Sequence, residues 1–266
     1  MLTKMGEDGL SYFEALKMAG DAGFAEADPS MDVDGTDAQQ KLRILAAHIC
    51  NGVFPKGDIT YRGITDLVPS DFHFAEQRNM TIKLLAKARK NGEGLELKVE
   101  PTLIAKHHPL ANIRNETNAF LLHGDSIGQS ILVGKGAGAL PTASAIYADI
   151  TDICHHRNAV TSSRHSELAV PQLVLPSGNT TSEYYLRFTV DDQPGLIGAI
   201  ATILGKSHIS VSNISAELIP NSPDLGQVHV IVHTTSEKDI VNALNEIKHV
   251  EGIHDDYKFL PIVSGV

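Results

Sequence analysis

Several features are scarce in this sequence, and each scarcity excludes something. Only two cysteines occur, Cys50 and Cys154, far apart in sequence. That leaves no basis for a disulfide framework and fits a reducing, cytoplasmic setting. No apolar run approaches the roughly 20 residues that a membrane span requires. A membrane role is therefore not expected. Basic residues are outnumbered, 22 Lys and Arg against 32 Asp and Glu for a formal charge of -10. They form no block, so nucleic acid is not an expected partner. The opening residues, MLTKMGEDGLSYFEALKMAG, carry acids and glycines where a secretory signal has a basic start and a long apolar stretch.

What is present describes an ordinary globular chain: 266 residues, 42% of them hydrophobic, enough for one large domain or two smaller ones. Two are expected. Helical periodicity predicts a short helix over 11–19 capped by Ser11, and a longer one from Asp37 to Cys50 carrying Leu42, Leu45, Ala46 and Ile49. Ser70 is the expected cap of a third helix after Pro69. Strands are expected over 81–88, 95–102, 119–122 and 130–133, then a glycine loop and a helix opening at Pro141-Thr142. From about 155 to 181 the chain turns rich in Ser, Thr, Pro and Asn. It reads as a linker, with LAVPQLVL a candidate edge strand.

Beyond it the expected order is strand 185–190, helix 195–206, strand 209–218, strand 227–235, helix 238–248 and strand 254–260. This βαββαβ order is that of the ferredoxin-like fold. The fold class is therefore α+β: a mixed-sheet domain with helices over 1–160, a linker over 161–181, and a small sandwich over 182–266.

Chemistry concentrates in Glu26 to Lys41, EADPSMDVDGTDAQQK, which gathers Glu26, Asp28, Asp32, Asp34 and Asp37 in one turn-rich segment. Asp37 and Lys41 are four apart on the predicted helix and share a face. By spacing alone they read first as a solvated surface pair contributing about 0–1 kcal/mol, since such pairs are common on helices. A second candidate is the loop Gly134-Lys135-Gly136-Ala137-Gly138. It satisfies a dinucleotide fingerprint, but no strand ending in an acid follows about 20 residues later, so alone it reads as a strand-to-helix turn. The thirteen histidines form no convincing metal set, since the pairs His107/His108 and His155/His156 diverge in most backbones.

The stretch GFAEADPSMDVDGTDAQQKLRILA, Gly23 to Ala46, closely resembles the active-site signature of the homoserine dehydrogenases. So does ILVGKGAGALPTASAIYADI, with Lys135 where the family usually has proline. The resemblance implies proton transfer at the substrate oxygen by Lys41, with Asp37 as the acid beside it. It implies that Glu26 and Asp32 hold the substrate's amino group, with Phe24 lining the site where a tyrosine is often found. Gly134, Gly136 and Gly138 would approach the nicotinamide end of NAD or NADP held mainly by another domain. That domain is expected upstream of Met1 or on another chain, leaving this chain inactive alone. The substrates implied are aspartate semialdehyde and homoserine. Reducing an aldehyde needs a proton donor at oxygen while hydride reaches carbon, and a substrate ammonium needs carboxylates.

The segment VDDQPGLIGAIATILGKSHISVSNI and its βαββαβ context resemble an ACT domain, an amino-acid sensor. This implies an effector, threonine by the family's logic, at Asp191, Gly195 and Asn213, because helix N-terminal amides accept a carboxylate. Homo-oligomerisation through this module is also expected. The rival expectation is of another class: an amino-acid-binding regulatory module whose catalytic pocket is unused.

Overall fold

The computed structural model describes residues 1–25, 28–50, 52–92, 94–155, 170–171, 173–176, 178 and 180–263. The first part runs α1 (Leu2–Glu7), α2 (Tyr12–Asp21), α3 (Ser30–Val33), α4 (Thr36–Cys50), β1 (Gly52–Val53), β2 (Thr60–Tyr61), α5 (Pro69–Gln77), β3 (Met80–Asn91), β4 (Gly94–Ala105), β5 (Thr117–Gly124), β6 (Gly128–Lys135) and α6 (Ala139–His155). After β7 (Val170–Pro171) come β8 (Thr181–Asp191), α7 (Leu196–Lys206), β9 (Val211–Ile219), β10 (Ser222–Ser236), α8 (Glu237–Ile247) and β11 (Lys258–Val263). The class is α+β as expected, and the last six elements follow the βαββαβ order. Most of the linker, 161–169, lies outside the described residues.

One sheet runs through both halves. Its order is β2-β4-β11-β8-β10-β9, with β3 also paired to β4. β11 lies parallel to β4, matching Ile262 to Leu103, and antiparallel to β8. The reason is visible in alternation along β8, whose successive side chains point to opposite faces. Tyr184, Leu186, Phe188 and Val190 face α7 and α8 and form one core with Ile200, Leu204, Ile240 and Leu244. Tyr185 faces the other way, into a core with Met5, Phe72, Phe74, Ile82, Leu103 and Ile262. A third cluster, Leu42, Ala46, Phe54, Ile59, Leu97 and Val99, holds α4 against the sheet.

Local chemistry corrects several boundaries. Ser70 does not cap α5. Pro69 opens that helix, Asp71 accepts from the Val68 amide at 3.0 Å, and the Ser70 hydroxyl is buried with no partner. The last strand begins at Lys258 rather than His254, because Ile253 and His254 are taken up in a bridge to Val190 and a bond from the His254 amide to the Thr189 carbonyl. The segment LAVPQLVL does add a strand: β7 pairs in parallel with β1, and Leu173 and Leu175 bond to Leu95.

Candidate functional site

The acidic segment folds as two helices separated by a turn. Asp32 lies on α3 and Asp37 in the first turn of α4, on either side of Asp34-Gly35. The Asp34 carboxylate accepts from the Thr36 amide at 2.7 Å, starting the helix. Gly35 adopts φ +90°, and a Cβ there would sit 3.2 Å from the Arg62 carbonyl oxygen. The strand-end segment Arg62-Gly63-Ile64 lies directly beneath. The Ile64 amide donates to the Val33 carbonyl at 2.8 Å, and a Cβ on Gly63 would overlap that oxygen. Only glycine permits this approach.

On α4, Gln39, Leu42 and Ala46 are buried, so Lys41 and Asp37 point outward. They pair at 2.6 Å with 58% and 39% of their side chains exposed. Phe24 is half exposed at the end of the turn that follows α2. Glu26 lies outside the described residues. Asp32, Asp37 and Lys41 are thus carried on one continuous helix-turn-helix unit.

The glycine loop leaves the β5–β6 hairpin and enters α6. Gly136 donates its amide to the Glu116 carbonyl at 2.9 Å and backs onto Asn118, whose side chain a Cβ would strike. Gly138 has φ +118°, while Gly134 has open space where a side chain would project. Lys135 is paired with Glu116, and that hydrogen bond holds the Glu116 carboxyl below its usual range. The loop shares no hydrogen bond or ion pair with Asp37 or Lys41 among the described residues.

In the second half, Gly195 is the N-cap of α7 with φ +101°, and nothing lies within 4 Å of the point where a Cβ would project. Asp191 ends β8 and bonds to His254 at 2.9 Å. Asp191, Asp192, Gln193, Pro223, Asp224 and Leu225 line a cavity of about 240 Å³. Asn213 is elsewhere. It registers with Ile231 whereas Asp191 registers with Leu225, so the two stand roughly 20 Å apart along β10 at ~3.4 Å per residue. Its side-chain oxygen accepts from Arg78 at 2.5 Å.

Sequence reasoning missed two buried charge networks. In one, Glu100 sits among Lys87, Lys98 and Arg62, with Glu237 adding a second carboxylate to Lys98. Burial raises the Glu100 pKa, yet Lys87, Lys98 and Arg62 outweigh it and bring the value to about 2. In the other, the fully buried Asp71 accepts from Tyr185 at 2.7 Å and Arg187 at 2.9 Å, and Tyr185 meets His229 at 2.9 Å. Burial pushes His229 down, below its ordinary value. The available signal was the alternation Tyr185, Arg187, Thr189 against Leu186, Phe188, Val190, which marks a strand with one apolar and one polar face, both covered.

Residues 1–151 match the family model described as Homoserine dehydrogenase, and 184–252 match that of the ACT domain. The chain belongs to the homoserine dehydrogenase family. It is 36% identical to the homoserine dehydrogenase of Neisseria gonorrhoeae over 94% of this chain and 59% of that protein, and 31% identical to the Bacillus subtilis enzyme over 97% and 60%. The crystal structure of a homoserine dehydrogenase from Thiobacillus denitrificans superposes with a TM-score of 0.84 at 31% identity, covering 99% of this chain and 61% of that one. The chain thus spans about three fifths of the length of these relatives.

Proposed function

We propose that this chain supplies the substrate-holding and effector-sensing parts of a homoserine dehydrogenase, interconverting L-aspartate 4-semialdehyde and L-homoserine in threonine and methionine biosynthesis. The observation that carries this reading is the helix-turn-helix unit that presents Asp32, Asp37 and Lys41 together, with the Asp37–Lys41 pair at 2.6 Å facing outward from the core.

In that reaction the Lys41 ammonium gives its proton to the carbonyl oxygen during reduction, and the amine takes it back during oxidation. Asp37 orients the ammonium. Asp32, with Glu26, receives the substrate's own ammonium, and Phe24 closes the side of the site. NAD or NADP, when bound, supplies or accepts the hydride at carbon. The glycine loop fits contact with the nicotinamide end, since Gly134 leaves its outer side open and Gly138 bends the chain away. The pyrophosphate and ribose then fall to a nucleotide-binding domain, in the same polypeptide or another.

The place for that domain is α6. Seventeen residues long, it buries none of them, and Leu140, Ile146, Tyr147, Ile150 and Ile153 are exposed. An amphipathic helix gains little stability until its apolar stripe is covered. The stripe begins at the glycine loop, where a cofactor-bearing domain must come close.

The ACT module senses a small amino acid, threonine by preference, at the Asp191–Gly195 turn, with the carboxylate on the α7 amides and the ammonium on Asp191. Asn213 lies too far along the sheet to share that ligand within one chain, so its part in the effector site falls to a second copy in a homo-oligomer. The free thiols Cys50 and Cys154 fit the cytoplasm. Among the described residues no helix is long and apolar enough to cross a membrane.

The test is Lys41→Ala in the chain joined to a nucleotide-binding domain. Turnover of homoserine is expected to fall by about 10²-fold or more, while the melting temperature stays close to wild type, because the pair is largely exposed. Turnover unchanged from that of the unaltered joined protein would make Lys41 only a surface partner of Asp37, whereas no homoserine turnover by the unaltered joined and folded protein would leave the chain a regulatory module.

A further inference from the structure

The polar face of β8 connects the two proposed sites. Beginning at the effector turn, Asp191 is bonded to His254 at 2.9 Å, and the His254 amide bonds to the Thr189 carbonyl at 2.9 Å. The Thr189 hydroxyl donates to Asp256 at 2.8 Å, and Asp256 lies 3.8 Å from Arg187. Arg187, 3% exposed, crosses into the first half. It donates to the fully buried Asp71 at 2.9 Å and to the Asp66 carbonyl at 3.4 Å. Lys258 holds the Asp66 carboxylate from β11.

Asp66 and Asp71 belong to the segment that forms the floor of the acidic turn. The Asp71 carboxylate receives the Val68 amide, the Leu67 amide bonds to the Ile64 carbonyl at 3.3 Å, and the Ile64 amide bonds to the Val33 carbonyl. Val33 lies between Asp32 and the Gly35 turn. The floor approaches the turn closely, since a Cβ on Gly63 would fall 2.2 Å from the Val33 oxygen. Arg187 is thus connected to the backbone beside Asp32 through Asp71, Val68, Leu67, Ile64 and Val33.

We infer that Thr189, Asp256 and Arg187 form the joint through which occupancy of the Asp191–Gly195 turn alters the position of the substrate carboxylates. This rests on the effector reading above and adds its route. A ligand ammonium on Asp191 competes with His254 for that carboxylate. Releasing His254 loosens the segment 254–256 that holds Asp256 on Thr189 and Arg187. Arg187 then redistributes between Asp256 and the Asp66–Asp71 floor. Arg187 and Thr189 act as positioning residues and touch no substrate.

The experiment is a double-mutant cycle on the full chain read by hydrogen exchange at the Ile64 amide, because the ends of a coupled route give non-additive effects. His254→Ala is expected to change Ile64 exchange about tenfold in the wild-type background and less than twofold in a Thr189→Val background. Val is nearly isosteric and suits a strand, so the fold is retained. Equal changes in both backgrounds, or no change in either, would overturn the joint.

A second arm adds L-threonine, with its binding followed by calorimetry. Slower or faster exchange at Ile64 in wild type, lost in Thr189→Val while threonine still binds, supports the route. Binding without any effect at Ile64 overturns it. Failure of threonine to bind would count against the effector reading alone, and the ligand-free cycle would still decide the joint.

Discussion

Lys41 and Glu100 both sit in ion pairs, but burial gives them opposite roles. Lys41 and Asp37 are open to solvent and contribute little to stability, which leaves their charges available to a substrate. Glu100 is 1% exposed and faces three cations. Its carboxyl ionises at about 2 when folded against an ordinary 4.5, so it contributes about 3 kcal/mol at neutral pH. A depressed acid pKa gives stability that is complete above the unfolded value and lost as pH falls through the folded one. The loss should therefore fall between about pH 4.5 and 2. Lys87 works against this, because burial lowers its pKa and makes its charge costly.

Glu100→Gln should destabilise the chain by about 3–5 kcal/mol near neutrality, leaving buried cations uncompensated, and should flatten the acid limb of the urea-stability profile. Parallel acid limbs in wild type and variant would show that Glu100 is not the group titrating. At this scale the sequence made Asp37 and Lys41 legible, because four-residue spacing on a helix is a local rule. Asp71 and Arg187 were not legible. Their contact spans 116 residues, and the alternation along β8 marks Arg187 as lying on a polar face without marking Asp71 as its partner.

At the scale of elements, period and punctuation located the longer helices and strands but not the short α1, α3, β1 and β2, and further errors arose where tertiary contacts moved an end. The β11 start shifted because His254 is committed to β8, and the α5 cap passed from Ser70 to Asp71. Gly195 shows the opposite case, a local requirement with a functional consequence. Its φ of +101° makes any side chain there cost about 1–3 kcal/mol, and the side chain would project into the open space beside the α7 amides. Gly195→Val is expected to lower the melting temperature of the full chain and abolish its rise with threonine. In the unaltered chain, a ligand at 100 times its Kd should add about 2.7 kcal/mol. Gly205→Ala in the same helix, with no positive φ and no close neighbour, should keep the full threonine response. A threonine shift that survives Gly195→Val would move the effector elsewhere.

For the whole molecule, the main departure from the sequence expectation is the sheet that continues from β4 through β11 into β8. Each βαββαβ strand pattern was readable. The pairing of its last strand with a strand more than 150 residues earlier was not, since a parallel neighbour leaves no turn signal between the partners. That shared sheet runs continuously from the strands beneath the acidic turn to those that carry the proposed effector turn, while α6 and the glycine loop remain uncovered. The measurement that bears most directly on this division of labour is NAD(P)-dependent homoserine oxidation by the chain alone and by the chain joined in frame to the nucleotide-binding part of its gonococcal relative. No turnover is predicted for the chain alone, and turnover is predicted for the joined protein. Oxidation by the chain alone, or none by the joined and folded protein, would contradict that division.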